Sequence, residues 1–218
     1  MKDLRHYKIL FLAVSSLLVL SVMASSRPFE KSSAAVLGAA FAKDHIVLGN
    51  IIRARLKNGG LDYLKYFDGT YLEGFEHQVG GVSRPDYIAQ GIKAAQTAAR
   101  QGKIIAFTLG IKEALKQGEA LEYERNERLR SRVDYAAALF LIVAEEYSYF
   151  LPVDQMGVVT KGGKQQNRLW MQTLPIFKQR LGPPKGPAVK RGYIYTREFE
   201  HCSVWLDIEN EVGKLIWR

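Results

Sequence analysis

The segment YFDGTYLEGFEH, residues 66–77, largely determines the predicted fold class. Within it, Asp68 and Gly69 form a turn signal, because both residue types accept backbone conformations that most side chains disfavour. Residues 70–72 follow with the strand formers threonine and tyrosine. Glu73 comes next. The sequence therefore predicts a turn, then a short strand, then an acidic side chain where that strand ends.

Strand and helix patterns alternate on either side of this stretch. Upstream, residues 45–50 form an apolar run that ends in Gly-Asn, which is typical of a buried strand meeting a loop. Downstream, an alanine-rich helix is predicted over about 87–101 and is closed by Gly102. A third strand is predicted over residues 103–108. Strands that alternate with helices indicate parallel βαβ units and an α/β fold.

Polar side chains mark the predicted ends of these strands. Asn50 and Arg53 follow the first strand, Glu73 and His77 follow the second, and Thr108 ends the third. The carboxyl ends of all strands in a parallel sheet lie along the same edge of the sheet. Ligands of α/β folds bind at this edge. We therefore expect the functional site at this edge.

The apolar run over residues 133–149 predicts a buried helix, ended soon after by Pro152. Glu145 and Tyr149 would then lie on its last turns, one above the other. An aromatic ring beside a carboxylate can bind a sugar ring. The alternative interpretation is a helix end that faces solvent.

The pattern changes to period two from residue 193, which predicts a small antiparallel meander. Its strands are expected over residues 193–200, 203–207 and 214–217. Arg197 shares a strand face with Phe199, an apolar neighbour. A charge on such a face predicts a buried ion pair that holds the meander to the rest of the fold.

Several of these segments resemble one family. Residues 66–77 resemble the strand with "DG, two or three residues, E-G-F" in glycoside hydrolases of the TIM-barrel type. Residues 195–207 are similar to their closing "R-E-F-E-x-x-x-V-x-V" hairpin, and residues 181–187, LGPPKGP, to the "LGKPLGP" segment before it. From about residue 45 to residue 217, the chain resembles the hypothetical glycosyl hydrolase family 15 group. The resemblance implies a (β/α)8 barrel, a carbohydrate ligand and cleavage of a glycosidic bond.

The resemblance also implies an incomplete barrel. A complete TIM barrel needs about 250 residues, whereas this chain has 218. The matching segments belong to the later half of the family pattern. We therefore expect residues 45–218 to form a later half-barrel with a C-terminal antiparallel meander. Such a half is expected to associate with itself or with a partner chain that completes the barrel.

Two functions follow from these expectations. The first is an exported glycoside hydrolase that acts on a poly- or oligosaccharide. The second is a non-catalytic carbohydrate-binding or assembly protein derived from a truncated barrel. Glycoside hydrolysis normally uses two carboxyl groups, and Glu73 is the residue predicted to supply one. The competing interpretation is that Glu73 pairs with an arginine and only orders its loop. The expected substrate contacts are Asn50, Arg53, Glu76, His77, Glu145 and Tyr149.

The beginning of the chain has the layout of a targeting segment. A basic start is followed by an almost continuous apolar run over residues 9–24. This pattern predicts a signal peptide over residues 1–24, cleaved after Ala24, and a periplasmic or extracellular protein. An uncleaved N-terminal anchor is the alternative, and only then is a membrane expected as a partner. Residues 25–44 are a lead-in to the barrel-like part.

The composition indicates which partners, disulfides and cofactors to expect. The formal charge is +9, but the basic residues are scattered, so we expect no nucleic-acid partner. Cys202 is the only cysteine, so the chain forms no internal disulfide. The four histidines are far apart in sequence and no metal-ligand spacing is present. The sequence therefore predicts neither a metal nor a cofactor.

Overall fold

The computed structural model describes residues 19–20, 46–52, 57–73, 75–76, 81–110, 123, 125–153, 160–161, 164–165 and 174–218. The chain contains two compact units. One comprises Leu10–Thr108 and Val143–Tyr149, and the other includes Leu109–Ile142 and Phe150–Arg218. Most of the predicted targeting segment lies outside the described residues, as do Arg53 and His77.

A five-stranded sheet provides the frame of the site. Its strands follow one another in chain order: β1 (Val19–Leu20), β2 (Leu48–Gly49), β3 (Gly69–Leu72), β4 (Ile104–Gly110) and β5 (Ser148–Val153). The pairs from β1 to β4 are parallel, as the alternation of strands and helices predicts. The fold is thus a mixed α/β structure with a parallel sheet, and the described strands do not form a closed barrel.

The register of the sheet follows from a few pairs. Thr70 lies opposite Gly49 on one side and Ile105 on the other. The amide of Ile105 donates to the carbonyl of Tyr147 at 2.9 Å. This bond joins the beginnings of β4 and β5, so β5 also runs parallel to its neighbour.

The first helix, α1 (Arg84–Arg100), connects β3 to β4. Its N-cap is Ser83, whose hydroxyl accepts a hydrogen bond from the amide of Asp86 at 3.3 Å. Gly102 follows the helix at a φ of 76°, the left-handed conformation in which glycine commonly ends helices. The predicted helix is confirmed, and it begins three residues earlier because the serine cap was not recognised in the sequence.

The second helix, α2 (Glu127–Val143), ends earlier than the apolar run predicted. Residues 146–147 form a turn, and β5 begins at Ser148. The Ser148 hydroxyl accepts a hydrogen bond from the amide of Glu145 at 2.9 Å, which stabilises this turn. The prediction that Glu145 and Tyr149 share a helix is therefore wrong. Pro152 lies inside β5 and does not terminate the helix.

The C-terminal meander is confirmed as a four-stranded antiparallel sheet. Its strands are β8 (Val189–Arg191), β9 (Ile194–Glu198), β10 (Cys202–Asp207) and β11 (Val212–Trp217). In the last turn, the Asp207 carboxylate accepts hydrogen bonds from the amides of Glu209 and Asn210, both at 3.0 Å. A hydrogen bond from the Asn210 side chain depresses the pKa of Asp207, and the two backbone bonds add to this effect.

Close contacts hold the meander to α2, among them those of Gly213 and Arg197. A Cβ atom on Gly213 would lie 2.5 Å from the Cα of Tyr135, so only glycine allows β11 to approach the helix this closely. Arg197 is 3% exposed, and its Nη1 donates to the carbonyl of Leu141 in the last turn of α2 at 3.0 Å. Arg197 is buried as expected, and the carbonyl oxygen of Leu141 that accepts from it lies at the negative end of a helix.

The remaining elements are short. A two-stranded hairpin pairs β6 (Thr160–Lys161) with β7 (Lys164–Gln165). Turns of 3-10 helix occur at Lys57–Tyr66 and Pro175–Lys178. Across the part of the chain that the structure describes, no helix has both the length and the apolar character needed to cross a bilayer.

Candidate functional site

Polar side chains collect on one face of the parallel sheet, near the carboxyl ends of its strands. Tyr71 and Glu73 lie two residues apart on this face, because side chains alternate along a strand. Ala106 pairs with Tyr71, so Ala106 and Thr108 share the same face. Asn50 follows β2 in the row beside Tyr71. The structure therefore brings together three groups that the sequence predicted, namely Asn50, Glu73 and Thr108.

Glu73 and Asn50 form the acidic corner of this face. The Nδ2 atom of Asn50 lies 3.5 Å from Oε2 of Glu73. The other two oxygens, Oδ1 of Asn50 and Oε1 of Glu73, are buried and receive no hydrogen bond from any described residue. Buried polar atoms in folded proteins nearly always have a partner. Two neighbouring acceptors that lack donors are suited to a ligand that brings hydroxyl groups.

Tyr71 and Thr108 lie on the strands beside this corner. The Thr108 hydroxyl lies 3.4 Å from the Tyr71 hydroxyl and 3.3 Å from the carbonyl of Leu72. Burial raises the pKa of the Tyr71 phenol, the Thr108 hydrogen bond opposes this, and the negative charge of Glu73 adds to the rise. Tyr71 thus keeps its proton at neutral pH and can donate a hydrogen bond. Tyr71 was not predicted as a site residue. The alternation of side chains along a strand identifies it, because Tyr71 lies two residues before Glu73 and so shares its face.

Glu76 has a different environment from Glu73. It is 8% exposed, and its Oε1 lies 2.8 Å from Nη2 of Arg84 at the start of α1. This ion pair joins Glu76, shortly after β3, to the first residue of α1. Pairing with an arginine was the competing interpretation for Glu73, and the structure gives that role to Glu76. A contact between Glu76 and substrate stays a prediction.

Asp68 lies at the opposite, amino edge of the sheet. Its carboxylate accepts a hydrogen bond from the amide of Val47 at 2.8 Å, and its carbonyl accepts one from the amide of Ile104 at 3.0 Å. Asp68 thereby aligns the beginnings of three strands. Asp68 therefore has a structural role at the edge of the sheet opposite to Glu73, and it is not placed to form an acid pair with Glu73.

Glu145 and Tyr149, predicted to act together, are separated. Glu145 precedes β5 and so lies at the amino edge, away from Glu73. Tyr149 is the second residue of β5. The Ile105–Tyr147 hydrogen bond sets a register in which Tyr149 lies beside Ala106, on the face that carries Tyr71. The structure thus brings Tyr149, but not Glu145, to the candidate site.

A model of a known protein family matches most of the chain. The family model described as Hypothetical glycosyl hydrolase family 15 matches residues 24–203. The chain belongs to this family. The match begins and ends earlier than the expected span of residues 45–217. No curated protein matches the chain.

Membership of hypothetical glycosyl hydrolase family 15 indicates a carbohydrate substrate. Sugars carry many hydroxyl groups. These hydroxyl groups can donate hydrogen bonds to Oδ1 of Asn50 and Oε1 of Glu73, which receive none from the described residues. Over the described part of the chain, no group of three His, Cys, Asp or Glu side chains comes together that could hold a metal ion. The acidic corner presents a carboxyl group beside an amide, and the Tyr71 phenol lies two residues before Glu73 on the same strand face.

Proposed function

We propose that this member of hypothetical glycosyl hydrolase family 15 hydrolyses a glycosidic bond in an oligo- or polysaccharide, with Glu73 as one of its two carboxyl groups. One observation carries the proposal. Oε1 of Glu73 is buried at the carboxyl end of β3 and has no donor among the described residues. A carboxyl group in this position is available to a substrate, whereas Glu76 is engaged by Arg84.

Glu73 acts as the proton donor in this proposal. Its carboxyl proton moves to the glycosidic oxygen while the bond from that oxygen to the anomeric carbon breaks. Asn50 suits both charge states of Glu73. Its Nδ2 donates to the carboxylate, and the amide turned by 180° offers Oδ1 to the protonated acid. Water later supplies the hydroxyl group at the anomeric carbon and returns a proton.

We further infer that the parallel strands correspond to part of a TIM barrel. Their chain order, their parallel direction and the helices before β4 and β5 support this inference. The position of the acidic corner also supports this inference, because TIM barrels carry their active sites at the carboxyl ends of the strands. Association with a second copy or a partner chain would complete such a barrel.

The second candidate function is binding of carbohydrate without cleavage. It is supported by the ion pair between Glu76 and Arg84, which engages the acidic side chain nearest to Glu73 in sequence. A binding protein would use the acceptors of Asn50 and Glu73 only as hydrogen-bond partners for sugar hydroxyls.

The substitution Glu73→Gln separates these candidates. It keeps the shape of the side chain and removes the ionisable group. A screen of 4-nitrophenyl glycosides and polysaccharides first identifies a cleaved substrate. General acid catalysis contributes roughly 100- to 10,000-fold, so kcat should fall by about that factor while the far-ultraviolet circular dichroism stays unchanged. The matched control is Glu209→Gln in the exposed β10–β11 turn, which should retain full activity.

Three outcomes are informative. Loss of turnover in Glu73→Gln, with binding retained, supports the hydrolase. Binding without any cleavage by the unaltered protein favours the second candidate. If a glycan is cleaved and Glu73→Gln cleaves it equally fast, Glu73 is not the catalytic acid.

A further inference from the structure

The hydroxyl group of Thr108 lies near two oxygen atoms of β3. Its Oγ1 atom is 3.4 Å from the Tyr71 hydroxyl and 3.3 Å from the carbonyl oxygen of Leu72. A threonine hydroxyl has one proton, and a carbonyl oxygen can only accept a hydrogen bond. The single Thr108 proton cannot serve both contacts, so the proton of Tyr71 also has to be considered.

Two arrangements of these protons are allowed. In the first, Thr108 donates to Leu72 and Tyr71 donates to Thr108, which leaves a lone pair of the Tyr71 oxygen unused. In the second, Thr108 donates to Tyr71, which leaves the Tyr71 proton unused. No other described residue makes a hydrogen bond with the Tyr71 side chain. Tyr71 therefore keeps one hydrogen-bonding position in both arrangements, as an acceptor in the first and as a donor in the second.

The register of the sheet places this position beside Glu73. Leu72 pairs with Phe107 in the last row of β3. Glu73 and Thr108 are therefore neighbours in the following row, on strands about 4.8 Å apart. The Tyr71 hydroxyl reaches that row because it contacts Thr108. The negative charge of Glu73 acts on Tyr71 there, since it adds to the rise of the phenol pKa that burial causes.

Glu73 and Tyr71 turn to opposite sides of β3. Oε2 of Glu73 lies 3.5 Å from Nδ2 of Asn50, on the β2 side, whereas the Tyr71 hydroxyl lies at Thr108, on the β4 side. Oε1 of Glu73 receives no hydrogen bond from any described residue. Both residues are half-buried, so part of each remains accessible to solvent. A ligand at Oε1 of Glu73 therefore has the Tyr71 hydroxyl as a neighbour on the β4 side.

We propose that the Tyr71 hydroxyl binds a sugar hydroxyl next to the glycosidic bond that Glu73 cleaves, and that Thr108 is the positioning residue that holds the phenol there. The inference rests on the proposed function, because it needs a glycan at Glu73. It goes further by assigning a substrate-binding residue and the chemistry of its contact.

A sugar hydroxyl suits this contact because it can both donate and accept a hydrogen bond. When Thr108 donates to Leu72, the sugar hydroxyl donates to the Tyr71 oxygen. When Thr108 donates to Tyr71, the sugar hydroxyl accepts the Tyr71 proton. Tyr71 thus binds the same group in either arrangement, and the contact depends on the phenol oxygen and not on the aromatic ring.

NMR of the full-length protein labelled with carbon-13 at Cζ of tyrosine tests the position of Tyr71 without a ligand. The chain has 11 tyrosines, and Tyr71→Phe identifies the signal. Between about pH 3.5 and pH 8 this signal should move as Glu73 loses its proton, and the movement should be absent in Glu73→Gln. The control is Tyr195, whose pKa burial raises to about 12 and whose signal should stay fixed.

Two NMR results would overturn the inference. A Tyr71 signal that does not move in the parent protein shows that the phenol oxygen is not beside Glu73. A signal that moves equally in Glu73→Gln shows that another group causes the change.

Glycan binding to the full-length Glu73→Gln protein tests the contact itself. The probes are cellotetraose, xylotetraose, mannotetraose, chitotetraose and maltotetraose. Calorimetry should detect binding of at least one, and adding Tyr71→Phe should raise its dissociation constant about 3- to 10-fold, because one hydrogen bond is lost. The matched control is Tyr147→Phe, since Tyr147 is 46% exposed and precedes β5. Equal dissociation constants for these two variants, or binding of none of the five probes, would contradict the proposal.

Two variants of Thr108 distinguish positioning from a purely structural role. Thr108→Ser keeps the hydroxyl group and should bind the same probe within about twofold of the parent. Thr108→Val keeps the shape of the side chain and removes the hydroxyl, so it should weaken binding about threefold. Combined with Tyr71→Phe, it should add no further loss, because both changes remove the same contact. If Thr108→Val lowers the melting temperature but leaves the dissociation constant unchanged, Thr108 does not position Tyr71 for the substrate.

The failure of this inference is distinguishable from failure of the proposed function. If Glu73→Gln abolishes hydrolysis while Tyr71→Phe leaves binding and kcat unchanged, Tyr71 does not bind the substrate and the hydrolase stands. If Tyr71→Phe weakens binding but Glu73→Gln cleaves at the parent rate, the Tyr71 contact stands and the catalytic assignment fails.

Discussion

Replacing Arg197 by methionine should destabilise the unit that contains the C-terminal meander by about 2–4 kcal/mol. The guanidinium group is almost fully buried and donates to the carbonyl of Leu141 at 3.0 Å and to that of Gly186 at 3.3 Å. It also lies over the ring of Phe199, 5.1 Å from the centroid. Methionine has a similar length and apolar character, so it fills much of the same volume without replacing the donors.

The change in the free energy of unfolding is a balance of opposing effects. Hydrogen bonds that involve a charged group contribute about 1.5–3 kcal/mol each, so two of them give roughly 3–6 kcal/mol. The substitution also removes a buried charge, whose desolvation opposes folding by several kcal/mol in some proteins. It leaves the Leu141 carbonyl at the end of α2 without this donor. The hydrogen-bond loss should dominate, because the Leu141 carbonyl stays buried by the surrounding chain.

Thermal denaturation followed by circular dichroism measures this effect. For chains of 150–250 residues, each kcal/mol shifts the melting temperature by about 2–4 °C, so a loss of about 3 kcal/mol predicts a shift of about 6–12 °C. The control is Arg191→Met on the neighbouring strand β8, where the side chain is exposed and the shift should be within about 2 °C. Arg197→Lys should be intermediate, since lysine lacks the planar fork of donors.

An equal effect of Arg197→Met and Arg191→Met would refute this reasoning. A higher melting temperature for Arg197→Met would show that the desolvation of the charge exceeds the value of its hydrogen bonds.

Three further predictions concern stability and processing. Gly213→Ala should cost roughly 1–3 kcal/mol, because the new methyl group meets the backbone of α2. Gly186→Ala, which meets no atom within 4 Å, should cost much less in the same urea titration. Burial raises the pKa of the Cys202 thiol from 9.0 to about 11, so the native protein should react slowly with Ellman's reagent at pH 8 and rapidly in denaturant. Because this pKa is raised in the folded state, the associated stability is complete below about pH 9 and is lost as the pH rises through about 11. A Cys202→Ala variant should therefore lose less stability across that interval. We also propose that the protein is exported, so mass spectrometry of the secreted form should find its first residue after Ala24, whereas an intact N-terminus on cytoplasmic material would contradict the signal peptide.

Local chemical signals in the sequence predicted much of the fold. The turn at Asp68 and Gly69, the glycine after α1 and the period-two pattern of the meander each act within a few residues, and each led to an element that the structure contains. The boundary between α2 and β5 could not be found in this way. Residues 135–144 and 149–153 are both apolar and are separated by only four residues, Glu145 to Ser148. Short apolar runs of this kind fit a buried helix and a buried strand equally well. The hydrogen bonds around Ser148 decide the boundary.

The candidate site was predictable only where it depends on strand ends. Asn50 and Glu73 were recognised because both follow an apolar strand, and the parallel sheet brings them together. The ion pair between Glu76 and Arg84 was not predicted, because the two residues are eight positions apart and no local pattern links them. Tyr149 was placed on the wrong element, so its position beside Ala106 emerged only from the register of β5.

The pairing of β1 with β2 links the processing of the chain to its architecture. Val19 and Leu20 lie opposite Leu48 and Gly49 at the edge of the parallel sheet, within the segment that a signal peptidase would remove. Cleavage after Ala24 would therefore strip the outermost strand and leave the backbone donors and acceptors of β2 open to another strand. In the precursor, β1 in the leader would then form the edge strand of the sheet. In the mature protein, the edge would be β2 itself or a strand of another chain paired with β2.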